Sequence, residues 1–259
     1  MEQLSSPPAD TAPVDEDILV LHVDDDESFA DLATTFLERE ADTFETVTAT
    51  SVDDGLDVIE RRDVDCVVSD YEMPRADGID FLDTVRGSWP DLPFILFTGA
   101  GSEAIAGRAI SRGVTDYIQK GGREQYTLLA NRIENAVAAH RAQRRVYDAH
   151  LAIETAREGI AILNDDGEFT YVNREYADLY GYDPGELVGE HWETLYREED
   201  VAEVHEEILP TVEEQGIWRG ETVGERADGE TFVEDHSLAT TKHGGLVCVV
   251  RPARESPNM

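Results

Sequence analysis

Residues 66–78 read Cys66-Val67-Val68-Ser69-Asp70-Tyr71-Glu72-Met73-Pro74-Arg75-Ala76-Asp77-Gly78, and their reading decides the fold of the first half of the chain. Residues 65–69 are apolar enough to form a short strand covered on both faces of a sheet. Asp70 then falls at the carboxyl end of that strand, where open α/β sheets place their ligands and chemistry. Pro74 and Asp77-Gly78 predict a turn. Ile79, Phe81, Leu82 and Val85 carry the apolar periodicity of the helix that follows.

Outward from this stretch the same alternation repeats. Strands are predicted at Ile18–Val23, Phe44–Ala49, 94–97 and Asp116–Gln119. Helices are predicted through Phe29, Leu32, Ala33, Phe36 and Leu37, at Val52–Arg61, 79–86 and Glu103–Ser111, and from about Glu124. Five strands alternating with five helices imply a parallel, doubly wound, flavodoxin-like sheet. Right-handed crossovers bring the carboxyl ends of its strands to one edge. That edge gathers Asp24, Asp25, Asp70, Thr98 and Lys120. Three converging carboxylates repel one another unless a cation sits between them, and a hard divalent ion with oxygen ligands, Mg²⁺, answers that need. The Thr98 hydroxyl and the Lys120 ammonium complete a cradle for phosphate oxygens. The site therefore reads as one that carries a phosphoryl group on a carboxylate.

Composition bounds the rest. The chain has 259 residues and 41% hydrophobic content, enough for two small cores. Its formal net charge is -36, from 57 acidic against 21 basic residues, and its lysines are Lys120 and Lys242. Such a surface disfavours nucleic acid and anionic membranes as partners. Acids spread over both halves, with so few lysines, resemble proteins of salt-in halophiles, in which molar salt screens the repulsion. Cys66 and Cys248 lie far apart in apolar runs without metal spacing, as buried free thiols of a reducing compartment do. With no long apolar run and no leader pattern, a cytoplasmic protein is expected.

Together these residues resemble the receiver domain of two-component response regulators. The likeness rests on Asp24-Asp25, Asp70-x-x-Met73-Pro74-x-x-Asp77-Gly78, Phe97-Thr98-Gly99 and Tyr117-x-x-Lys120. The resemblance implies that Asp70 is the phosphoacceptor and that a histidine kinase is the donor. It makes Asp25 a direct Mg²⁺ ligand, Asp24 a ligand acting largely through metal-bound water, and the Glu72 backbone carbonyl the third protein ligand. Thr98 and Tyr117 become the switch pair, and Lys120 bridges to the phosphoryl oxygens. One departure stands out: the family usually has proline after this lysine, whereas here Gly121-Gly122 follow. Proline makes a cis bond inexpensive, so a trans or unusually mobile loop is expected.

From Glu124 the helix is expected to cover the sheet with Tyr126, Leu129, Ile133 and Val137. It should then continue past Arg141, Arg144 and Arg145 into a second apolar stripe, Val146, Ala149, Ile153, Ala156 and Ile160. Beyond it, the order β-β-helices-β-β-β resembles a PAS domain. So do Asp165-Asp166-Gly167-x-x-x-x-Val172-Asn173, Gly181-Tyr182…Glu186-Leu187-Val188-Gly189 and Arg226-Ala227-Asp228-Gly229-Glu230. Final strands are predicted near 217–226, 230–240 and 245–252, after one helix over about 198–213. No cysteine accompanies Asn173-Arg174-Glu175, so the flavin-adduct signature is missing. His205 occupies a haem-ligand position in such domains but stands among glutamates, as a solvated helix histidine would. The PAS half is expected to hold no cofactor, its ligand being unknown. His205-Glu206-x-x-x-Pro210 mimics a kinase phosphoacceptor box, but the 49 residues after Pro210 read as strands, so no kinase ATP-binding domain is expected.

The expected organisation is an acidic disordered tail (1–15), a receiver domain (16–138), a helical linker (139–155), an α+β PAS domain with an antiparallel sheet (156–252) and a short tail (253–259). The expected function is a non-enzymatic response regulator that relays phosphorylation of Asp70 to the PAS domain. That domain then meets a downstream signalling protein or a second copy of the chain as a homodimer. The alternative is a ligand- or redox-sensing adaptor whose PAS domain tunes the receiver.

Overall fold

The structure, a computed structural model, describes residues 17–99, 103–242 and 244–253. It falls into two compact units that divide between Arg145 and Val146. The N-terminal tail predicted over 1–15 lies outside the described residues, as does nearly all of the C-terminal one.

The first unit is a parallel sheet in the order β2-β1-β3-β4-β5. Its strands are β1 (Ile18–Val23), β2 (Phe44–Ala49), β3 (Cys66–Ser69), β4 (Phe94–Thr98) and β5 (Asp116–Gln119). Between them run α1 (Glu27–Glu40), α2 (Val52–Arg61), α3 (Gly78–Ser88) and α4 (Glu103–Ser111), and α5 (Arg123–Glu154) follows β5. Every residue of β1, β3 and β4 is buried. Alternate side chains feed opposite layers, as the pleat requires. Val20, Val68 and Phe97 join Leu37, Leu129 and Ile133 on one face, while Leu21, Val67 and Leu96 join Ile59, Phe81 and Val85 on the other.

Local chemistry fixes the helix starts at the strand edge. Asp26 caps α1 by accepting the Ser28 and Phe29 N–H groups at 3.1 and 3.2 Å. Asp77 and Asp80 form a reciprocal capping box on α3. A Cβ on Gly78 would stand 2.2 Å from the Asp70 carbonyl oxygen, so only glycine lets α3 begin this close to the end of β3. Arg141 ties α5 back to the sheet through Asp65 Oδ1 at 2.9 Å.

The second unit is an antiparallel sheet in the order β7-β6-β10-β9-β8. Its strands are β6 (Gly159–Leu163), β7 (Phe169–Val172), β8 (Ile217–Glu225), β9 (Thr231–Thr240) and β10 (Leu246–Pro252). Asn173 anchors its start. Its Oδ1 accepts the Ile160 and Tyr176 N–H groups at 2.8 and 2.9 Å, and its Nδ2 donates to the Ile153 and Glu158 carbonyls at 2.9 and 3.0 Å. One buried amide thus joins the end of α5, strand β6 and α6 (Arg174–Tyr180).

Two expectations need correction. The apolar stripe beyond Val146 does not continue to Ile160: α5 ends at Glu154, Ala156 lies past it and Ile160 belongs to β6. Val146 itself is 70% exposed. The helix predicted over 198–213 is not uniform either. After α7 (Pro184–Leu187), α8 (Glu198–Glu203) widens into a π-turn at Val204–Ile208 before α9 (Leu209–Gln215). Pro210 explains the widening, because it has no N–H for the Glu206 carbonyl and its ring crowds that group.

Candidate functional site

The carboxyl ends of β1, β3 and β5 deliver the charged cluster. Asp24 follows β1 and is 1% exposed, and Asp70 follows β3 and is 7% exposed. One oxygen each from Asp24, Asp25 and Asp70 lie within 4.8 Å of one another. Lys120, the residue after β5, places Nζ 2.7 Å from Asp24 Oδ2 and 3.0 Å from Asp70 Oδ1. Main-chain bonds tie these strand ends to their neighbours: Asp70 N–H donates to Val23 O, joining β3 to β1, and Lys120 N–H to Thr98 O, joining β5 to β4, each at 2.8 Å.

Burial is the main influence on Asp24, raising its pKa, and the hydrogen bond and charge of Lys120 oppose that rise. His22 lies beneath, 3.8 Å from Asp24 Oδ2. Its burial pushes its pKa from 6.5 down to about 4, so it is neutral at physiological pH and adds no positive charge. Three carboxylates therefore face the Lys120 ammonium. This oxygen-rich set, short of positive charge, fits a divalent cation.

The structure brings Asp24, Asp25, Asp70 and Lys120 together. Thr98, the last residue of β4, sits buried at the same edge. Glu72 lies on the loop two residues past Asp70, with its side chain exposed. Tyr117 is not in the carboxylate cluster. It pairs with Leu96 inside the sheet, and its ring is partly buried in the apolar layer that contains Leu96 and Ala109.

The second unit holds a polar network that the sequence reading missed. Glu234 is fully buried and accepts hydrogen bonds from Tyr180 Oη at 2.6 Å, Thr222 Oγ1 at 2.8 Å and Tyr196 Oη at 2.9 Å. Burial raises its pKa, against the three hydroxyl donors. His236, on the same face of β9, has Nδ1 3.1 Å from Thr222 Oγ1, and burial lowers its pKa to about 4. The signal was in the alternation: Glu234 and His236 share the period-2 face of Leu238, an apolar core position. Beside them is a cavity of about 20 Å³ lined by Tyr176, Trp192, Thr222, His236 and Cys248, among others. That is room for about one water. His205 does not line it; its Nε2 meets Glu193 Oε1 at 2.7 Å on the surface.

A parallel α/β unit with an acidic cluster and a lysine at its strand ends, followed by an antiparallel α+β unit, defines a two-domain α/β and α+β protein. Comparison with known families specifies both parts. Residues 20–131 match the response regulator receiver domain and residues 147–253 match the PAS fold, so the chain carries a receiver domain followed by a PAS domain. It is 28% identical over 196 residues to the bacterioopsin transcriptional activator of Halobacterium salinarum, covering 68% of this chain and 28% of that protein. Over 101 residues it is 30% identical to the response regulator SaeR of Staphylococcus aureus, covering 39% of this chain and 43% of SaeR. The chain thus spans less than half the length of either relative. Among solved structures, a receiver domain protein from Clostridium thermocellum is 26% identical with a TM-score of 0.44, covering 49% of this chain and 98% of that one. Among the described residues, no helix is long and apolar enough to cross a membrane.

Proposed function

We propose that the chain is a phosphorylation-controlled response regulator whose Asp70 accepts a phosphoryl group from a histidine kinase. The observation that carries this reading is the convergence of Asp24, Asp25, Asp70 and Lys120 at the strand ends. An Asp70 carboxylate oxygen attacks phosphorus, the P–N bond to the donor imidazole breaks, and the imidazole leaves with the bonding electron pair. Lys120, already 3.0 Å from Asp70 Oδ1, is placed to neutralise the incoming phosphoryl oxygens. Asp24, Asp25, Asp70 and the Glu72 carbonyl would hold Mg²⁺. When bound, that ion supplies charge neutralisation for the phosphoryl oxygens. Thr98 supplies a hydroxyl to the phosphoryl group and Tyr117 responds to its movement, as a switch pair.

The test is chemical. With Mg²⁺ and a small acyl phosphate, the full chain should gain one phosphoryl group by intact mass, and Asp70→Asn should gain none. Equal labelling of the variant would move the acceptor elsewhere and sink the reading.

Output through the PAS domain is proposed on the continuity of α5, one helix over Arg123–Glu154 with no glycine or proline inside. Phosphorylation, or beryllofluoride as its analogue, should change hydrogen exchange in residues 140–154 as well as around Asp70. Thr98→Ala should keep the phosphoryl group and lose the distant change. Unchanged exchange in 140–154 would reduce α5 to a tether. The PAS domain would then engage a downstream protein or a second copy of the chain. The net charge of -36 and the Halobacterium relative favour a halophilic, screened environment for this work.

A further inference from the structure

Lys120 lacks the proline that usually follows it, and Gly121-Gly122 restrict its backbone little. What then aims its ammonium? The Lys120 side chain is 15% exposed, and its Nζ touches three groups: Asp24 Oδ2, Asp70 Oδ1 and the face of the Phe29 ring, 4.1 Å from the centroid. Phe29 lies in the first turn of α1, behind the Asp26 cap, so the helix that follows the metal-binding aspartates also fixes this ring. Neighbouring rings hold it further. Phe29 lies 6.1 Å from Phe97 and 6.2 Å from Tyr126, and Tyr126 stacks on Phe36 at 4.6 Å.

The three partners differ in what the reaction does to them. Asp70 becomes an acyl phosphate and Asp24 is claimed by the cation, so both carboxylates are withdrawn from Lys120 as the site loads. The Phe29 ring is untouched by either event, and a desolvated ammonium over an aromatic face is held by the ring quadrupole. We propose that Phe29 is a positioning residue for Lys120, keeping its ammonium at the phosphoryl position while the carboxylate partners are redirected. The proposal rests on the reading of Asp70 as phosphoacceptor.

Two measurements on the full chain test it, and they fail separately. In the first, the rate of labelling by an acyl phosphate in Mg²⁺ should fall roughly fivefold in Phe29→Leu and recover in Phe29→Tyr. In a Lys120→Met background, Phe29→Leu should cost nothing more. A Leu variant as fast as wild type, or an equal loss with Lys120 absent, overturns the proposal, because a structural role would persist without the lysine. The second measurement uses the presence of just two lysines, Lys120 and Lys242. With ¹³C-labelled lysine, one Cε signal should carry a ring-current shift that Phe29→Leu removes and Phe29→Tyr retains. No shift overturns the contact itself. A shift in a wild-type chain that takes no phosphoryl group upholds the contact and overturns the phosphoacceptor reading instead.

Discussion

Between pH 6.5 and 4 the PAS unit is expected to lose about 3 kcal/mol of stability through His236 alone. His236 is 6% exposed, and burial depresses its folded-state pKa from 6.5 to about 4. The unfolded chain therefore binds a proton in this window and the folded chain does not. The His236 contribution is complete above pH 6.5 and is lost as pH falls towards 4. Glu234 works in the opposite sense. Its folded-state pKa is raised above 4.5, so its contribution is complete below that value and is lost as pH rises through the folded one. His236→Gln should therefore remove the acid-side loss and leave stability that declines with rising pH. Trp192 and Trp218 lie in the PAS unit and Trp89 in the receiver, where His22 titrates with the same sign as His236. Denaturant midpoints should accordingly be followed by tryptophan fluorescence in a Trp89→Phe chain. Identical pH slopes with and without His236 would refute this account.

The network explains where sequence reading reached and where it stopped. Strand β3 was legible because its residues are apolar on both faces, and a strand-end aspartate in an alternating α/β chain has one place to go. The same logic placed Asp24, Thr98 and Lys120, since crossover handedness fixes the edge irrespective of side-chain detail. Glu234 and His236 were harder. A charged residue in a strand reads as solvent-facing, and only partners 12 to 54 residues away, Thr222, Tyr196 and Tyr180, make burial tolerable. The Phe29–Lys120 contact joins residues from opposite ends of the receiver, which no local period reports. The overlong stripe towards Ile160 failed for another reason: helical spacing can continue in the sequence after the helix has ended. Pro210 could have announced the π-turn, because a proline inside a helical run leaves a carbonyl without its donor.

Removing Lys120 is expected to destabilise the metal-free receiver by about 3 kcal/mol, and Mg²⁺ is expected to restore most of that loss. Lys120 Nζ is shared between Asp24 Oδ2 and Asp70 Oδ1, whose side chains are only 2% and 9% exposed. In Lys120→Met those carboxylates keep their burial and lose their counter-charge, and a buried charge stripped of its partner costs more than the pair contributed. The loss should shrink in acid, because Asp24, already biased towards protonation by burial, then sheds its charge. It should also shrink in Asp24→Asn/Lys120→Met, which removes one of the opposed carboxylates. Both chains can be compared by thermal midpoint at constant ionic strength, with EDTA or with Mg²⁺. In the wild type, Mg²⁺ should raise the midpoint less than in Lys120→Met, since the ammonium already offsets part of the repulsion the ion would relieve. A Lys120→Met chain that stays destabilised in excess Mg²⁺ would show that Asp24, Asp25 and Asp70, though within 4.8 Å of one another, do not hold the ion.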